Sequence, residues 1–179
     1  MKKEIQVMGH AQTILKALQT GVLLTTKTQD KVNTMTISWG TLGIEWGKPI
    51  FTTFVRQNRY THKQLMENPY FTINVPVGNF DRKILGMAGT LSGYNEDKIQ
   101  KLGLHLIDSD TIDVPGIQEL PLTLECKIIY AQKQVLSQID ASFQKQYYPQ
   151  DVDSTFHGSN KDVHTAFYGE ILKATLLED

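Results

Sequence analysis

The chain has 179 residues, room for one domain, with 40% hydrophobic and 21% charged residues, the balance of an ordinary globular domain and not of a disordered one. Lysine plus arginine total 18 and aspartate plus glutamate 19, a formal net charge of −1, which excludes a dominant basic field of the kind that binds nucleic acid. The single cysteine, Cys126, excludes an intrachain disulfide, a multi-cysteine zinc site and a CxxC redox pair.

In chain order, residues 11–20 place Ile14, Leu15 and Leu18 on one helical stripe that Gly21 stops. Residues 22–27 and 34–39 predict two strands joined by the polar turn 28–33, a hairpin. Gly40, Gly43, Gly47 and Pro49 predict a loop or short irregular turn over 40–49. Residues 50–56 predict a strand, and Thr61 is the predicted N-cap of a helix that runs to about Glu67 and ends at Asn68-Pro69. A strand over 70–76, a helix over 79–88 weakened by Gly86, and a short helix near 95–102 follow. Pro115-Gly116 predicts a turn flanked by short strands, then 122–136 reads as a long strand carrying Cys126 as a buried, inert thiol. A short helix before Pro149, an exposed loop over 151–162 and a long final strand over 163–178, bent at Gly169, complete the chain. Strands adjacent in sequence favour a mainly β, antiparallel barrel with peripheral short helices over a doubly wound sheet. A single domain over 1–179 is expected. The N-terminus has no apolar h-region and no stretch approaches the roughly 20 apolar residues of a membrane span, so a cytoplasmic protein is expected.

Several chemistries have no support in the motifs. No two glycines are separated by one residue, so the GxGxxG fingerprint is absent, as are GxSxG and HExxH. In Gly43–Pro49 the spacing is one residue short of a P-loop, and Pro49 stands where a Ser or Thr would hold magnesium. His10, His62, His105, His157 and His164 show no helical i, i+3 or i, i+4 pairing, and no metal site is expected.

Two segments concentrate polar groups beside aromatic ones. Asn33 to Gly40 alternates Asn33, Thr36 and Ser38 with Met35, Ile37 and Trp39. It reads either as a sheet edge offering backbone groups to a planar heterocycle or as a hairpin strand with Trp39 as core anchor. Val55 to Lys63 carries Arg56, Asn58, Arg59 and Thr61 where a strand ends and a helix begins. Such a place offers free backbone N–H groups, a favourable dipole and forked donors to a phosphate. A solvated basic turn reads equally well.

The runs N-x-M-T-I-S-W-G, P-I-F-T-T-F-V-R-x-N-R-Y-T and E-N-P-Y-F-T-I-N-V-P resemble the flavin reductase-like family of FMN-binding split barrels, its flavoredoxin branch above all. S-G-Y-N-E-D-K at 92–98, L-P-L-T-L-E-C at 120–126 and V-H-T-A-F-Y-G-E-I at 163–171 agree in order, so the likeness covers residues 10–175. The resemblance implies a six-stranded antiparallel Greek-key split barrel, a homodimer, and FMN near the subunit interface. It implies that Asn33, Met35, Thr36, Ile37, Ser38 and Trp39 line the isoalloxazine ring. Arg56, Asn58, Arg59 and Thr61 would hold the phosphate, with Asn58 where many relatives have serine. Ser92 and Lys98 would approach the flavin, although Lys98 also reads as a solvent-facing helix lysine. Tyr168, beside Phe167, would pack near the cofactor, or serve as a core or interface aromatic; His164 faces either the site or the surface. The implied function is hydride or electron transfer from NAD(P)H, a transient substrate, to flavin or another small acceptor. The alternatives are an FMN electron carrier reduced by a protein donor, and a non-flavin binding protein on the same barrel. Hydride transfer needs binding and orientation more than acid–base groups, in keeping with the missing triad.

Overall fold

Apolar residues alternate with threonine and asparagine along most of the chain, and that alternation builds the sheet. The computed structural model describes residues 1–29, 31–153 and 160–178. The strands are β1 (Lys2–Glu4), β2 (Val22–Thr28), β3 (Lys31–Ile37), β4 (Gly40–Glu45), β5 (Lys48–Arg56), β6 (Tyr70–Val75), β7 (Leu106–Ile107), β8 (Gly116–Ile117), β9 (Leu122–Lys133) and β10 (His164–Leu177). The α-helices are α1 (Ala11–Leu18), α2 (Tyr60–Glu67), α3 (Lys83–Thr90), α4 (Lys98–Leu102) and α5 (Ala141–Tyr147).

The main sheet is antiparallel, in the order β3-β2-β6-β9-β10-β5-β4, with β1 also pairing β10. It has eight strands rather than the expected six. Its end strands β3 and β4 follow each other in sequence across Ser38-Trp39, so the sheet must curl until its two ends meet. The interior holds Leu24, Phe51, Phe71, Ile73, Leu124 and Phe167. The opposite face of β2 and its neighbours packs a second cluster, Leu23 with Ile84, Leu85 and Ala88 of α3. On the face that carries Leu23, Asn74 Nδ2 donates to Thr25 Oγ1 at 2.9 Å and Thr72 Oγ1 at 3.1 Å, and Asn74 Oδ1 accepts from the Ile117 N–H at 2.8 Å. Such a network fixes the β7–β8 excursion against the sheet because every polar group in it is paired. α2, α3 and α4 pack along β3, the end strand of the path.

Most predicted elements form. The loop over 40–49 does not: it is the hairpin β4–β5. Trp46 and Gly47 both have positive φ, 51° and 70°, the backbone of a two-residue turn whose twist matches the strands. Glycine at position 40 serves close packing, since a Cβ there would stand 2.8 Å from the Phe51 ring. The predicted helix over 79–88 starts later, at Lys83, because the Asp81 carboxylate accepts the Lys83 N–H at 2.9 Å. Helix α2 is capped by Arg59 rather than Thr61, which lies inside its first turn. Leu15 of α1 is exposed while Ile14 and Leu18 are buried. The bend at Gly169 is present as a register shift against β9 between Tyr168 and Gly169. Cys126 is buried, and burial pushes its thiol pKa up. Part of the expected 151–162 loop, residues 154–159 with His157, lies outside the described residues.

Candidate functional site

Where β3 runs out and β5 hands over to α2, two adjoining cavities open. Met35, Thr36 and Arg59 line both.

The first cavity has a volume of about 160 Å³. Met35, Thr36, Ile37, Ser38 and Trp39 form one wall, and Phe54, Arg56 and His164 the other. The two walls meet through pairing of β5 with β10, which sets His164 opposite Arg56 and Ala166 opposite Phe54. Trp39 is 37% exposed, its ring 4.9 Å from His164 and edge-on to Tyr147 at 5.2 Å. It walls the cavity and does not anchor the core. Thr36 lines the cavity with its hydroxyl already committed, donating to Leu85 O at 2.6 Å.

His164 is buried, and its pKa falls to about 4 through desolvation and then the neighbouring Arg56 charge. Its Nδ1 lies 2.8 Å from the Tyr148 hydroxyl. That hydroxyl donates to Gln134 Oε1 at 2.9 Å, and Gln134 Oε1 also accepts the His164 backbone N–H at 3.3 Å. With its one hydrogen spent, the Tyr148 oxygen accepts from Nδ1–H, so the neutral ring leaves Nε2 as an acceptor.

Arg56 is 8% exposed, and its guanidinium is committed elsewhere. Nη1 donates to Asn160 O at 3.0 Å and Asp162 O at 2.6 Å, and Nη2 to Tyr147 O at 2.8 Å. It also lies over the Tyr148 ring at 5.0 Å. Arg56 therefore clamps the segment after α5 and does not join Arg59 at the second cavity.

The second cavity, about 210 Å³, has a cationic and polar lining: Asn33, Asn58, Arg59, Thr61, Ser92 and Lys98. Asn33 Nδ2 donates to Thr61 Oγ1 at 3.0 Å, which leaves the Thr61 hydroxyl hydrogen free. The Asn58 N–H is taken by Asp162 Oδ2 at 2.9 Å, and the Ser92 hydroxyl accepts the Tyr94 N–H at 3.3 Å. Lys98 is 4% exposed, a buried lysine and not the solvent-facing one that a short helix suggests. Its ammonium donates to Ala88 O at 2.9 Å, one bond for three N–H groups. Burial first, and Arg59 second, lower its pKa to about 8. The Arg59 side chain is exposed and has no hydrogen-bond or ion-pair partner among the described residues. Among the described residues, no carboxylate lines either cavity. Cations with unmet donors and no acid call for an anionic ligand.

Tyr168 is placed elsewhere. It lines a separate groove with Gln132 and Ala166, its ring 5.2 Å from Tyr130. It shares a face with His164, but four residues along a strand is about 13 Å. Phe167 points into the core. Sequence reading missed Phe54, Tyr60 and the relay of Tyr148 and Gln134, which only long-range pairing brings in.

A family model described as a flavin reductase-like domain matches residues 15–179. A relative from Archaeoglobus fulgidus, described only as an uncharacterized protein, is 34% identical over 100 residues, 56% of this chain and 55% of that protein. The chain thus spans about half the length of this curated relative. Among solved structures, the flavoredoxin of Desulfovibrio vulgaris (Miyazaki F) superposes with a TM-score of 0.65 at 24% identity, over 88% of this chain and 69% of that one. The NADH:FAD oxidoreductase of Streptomyces globisporus C-1027 gives 0.63 at 17% identity, over 91% and 81%. These two likenesses establish the fold, and the family match reaches across almost all of the sequence, so this chain belongs to the flavin reductase-like domain family.

Proposed function

We propose that this chain is an FMN-binding oxidoreductase that passes electrons from NAD(P)H to flavin or another small acceptor. One observation carries the reading: a half-open aromatic cavity and a cationic cavity with no carboxylate among its described lining residues share Met35 and Thr36 of β3 and Arg59 at the start of α2. A flavin mononucleotide has the matching halves, a flat heterocycle and a terminal phosphate dianion. Family membership supports flavin, and the two cations and free hydroxyl of the second cavity suit the terminal phosphate dianion of the mononucleotide.

Arg59, Lys98 and Thr61 would hold the phosphate through charge-assisted and hydroxyl bonds, and the first turn of α2 adds backbone N–H groups. The backbone of Met35 to Ser38 would meet the polar edge of the ring, with Trp39 and Phe54 beside it. When bound, FMN supplies the electron-transfer chemistry. His164 stays neutral and offers Nε2 as an acceptor, which holds a ligand N–H without moving a proton. Arg56 keeps the segment that carries Tyr147 and Tyr148 closed against Trp39.

The test is the visible spectrum of the purified protein mixed with NADH or NADPH. A flavin band that bleaches promptly with a nicotinamide is the expected result. Bleaching only by a reduced ferredoxin favours the electron carrier, and a colourless protein that takes up no FMN overturns the flavin reading.

A homodimer is part of the proposal. Phe54 lines the first cavity and also the groove that holds Tyr168. That face continues to Tyr130 and Trp46, 43% and 60% exposed, rings 6.3 Å apart. Aromatic exposure of this extent suits a self-complementary interface. Light scattering should give twice the chain mass, and Tyr130→Asp with Trp46→Asp should give the monomer; a monomeric parent chain counts against the assembly.

A further inference from the structure

Lys98 has more reactivity than holding an anion requires. It sits at the start of α4, packed against β3 and α3, and its ammonium reaches the second cavity with Ala88 O as its one acceptor. The charged groups around it all lean one way. Arg59, at the N-cap of α2, is the charge that acts on it. Lys31 of β3 is bound to Gly93 O at 2.8 Å and lies over the Tyr60 ring. The nearby acids are engaged elsewhere: Asp97 accepts the Gln100 N–H at 3.0 Å, and Glu96 pairs with Lys101 at 2.8 Å. No acid among the described residues pairs with the ammonium, and burial denies it water. An amine so placed becomes a nucleophile by the same two devices that activate lysine elsewhere, desolvation and a neighbouring cation.

We propose that Lys98 is a reactive-amine site that forms an imine with phosphorylated aldehydes entering the second cavity. This rests on the proposed function for one element, the anion-binding end at Arg59 and Thr61. The phosphate seats there and holds the carbonyl beside Nζ. The Nζ lone pair attacks the carbonyl carbon, forming a C–N bond as the C–O π bond opens to a carbinolamine. Loss of the oxygen as water gives the imine, so amine plus aldehyde yields imine plus water with no change of oxidation state. With its pKa near 8 in place of the usual 10.5, about one Lys98 in ten is neutral at pH 7, against about one in three thousand for an ordinary lysine.

Pyridoxal 5′-phosphate is the probe. The full chain, as purified and after exhaustive dialysis, is treated at pH 7, the imine is fixed with borohydride, and the labelled peptide is identified by mass. Lys98 is expected to react about tenfold faster than any other lysine, and about tenfold slower with pyridoxal, which lacks the phosphate. Excess FMN should suppress the labelling, and Lys98→Arg should abolish it with the circular dichroism unchanged. Labelling spread over exposed lysines such as Lys63 and Lys145, or equal rates with pyridoxal, overturns the proposal. A parallel FMN titration by fluorescence separates the two readings. If FMN binds and Lys98 stays unlabelled, the amine site falls and the flavin reading stands. If Lys98 is labelled but FMN neither binds nor protects, the amine site stands and the flavin reading falls.

Discussion

Replacing Arg59 and Thr61 together by alanine lowers the affinity for FMN about tenfold or more, and leaves riboflavin binding little changed. Hydrogen bonds to a charged group contribute about 1.5–3 kcal/mol each, and riboflavin has no phosphate to lose them. Arg59 carries most of the effect because its guanidinium is uncommitted among the described residues. Thr61 has a second duty, as its oxygen accepts from the buried Asn33 amide at 3.0 Å. Thr61→Ser keeps both bonds and should bind as the parent does, whereas Thr61→Ala strands the amide and lowers stability by about 1–3 kcal/mol. Titration of flavin fluorescence, with urea unfolding alongside, separates these contributions. Equal losses for FMN and riboflavin would remove the phosphate from this end of the site.

Arg56→Met should have the larger effect on the fold. Its guanidinium feeds three backbone carbonyls, those of Tyr147, Asn160 and Asp162. Their loss costs about 2–4 kcal/mol in unfolding free energy. The effect reaches His164, whose pKa of about 4 reflects burial first and the Arg56 charge second. Without that charge, and with the covering segment loosened, the His164 pKa should climb toward its ordinary 6.5. The pH dependence follows by linkage. In the parent chain the unfolded state binds the His164 proton near pH 6.5 and the folded state only near 4. Stability from this group is complete above about 6.5 and is lost as the pH falls toward 4. The variant should be weaker at pH 7 and lose less between pH 7 and 5. Urea midpoints at the two pH values and an NMR titration of the ring check both parts; an unmoved His164 pKa would contradict the coupling.

The sheet was largely legible because period-two alternation is a local signal. Phe71, Ile73 and Val75 face the interior while Thr72 and Asn74 face the β7–β8 excursion, a pattern visible in the letters. The hairpin β4–β5 was hidden because glycine is a poor strand former on average, yet at position 40 it is the residue that fits under the Phe51 ring. The site divides in the same way. Met35 to Trp39 was readable as a unit since its members are consecutive, whereas Asn33, expected beside the same ring, turns into the second cavity and donates to Thr61. The roles of Arg56 and Arg59 were not separable, since three residues of sequence divide a buried clamp from an exposed donor. Lys98 looked like a surface lysine because its burial comes from α3 and β3, which no local pattern announces. His164 needed both the β5–β10 register and the Tyr148–Gln134 relay before its protonation could be stated.

β3 ends the strand path, and its outer side meets α2, α3 and α4. A bare strand edge is a template for self-association, and proteins commonly blunt it with charge, a bulge or a covering element. Here short helices provide the cover, and the second cavity opens between them and β3. Protection of the edge and creation of a ligand site are one arrangement. A ligand seated in that cavity would touch β3 and the helices that shield it at once, so its loss is expected to loosen the cover of the strand edge as well as to empty the site.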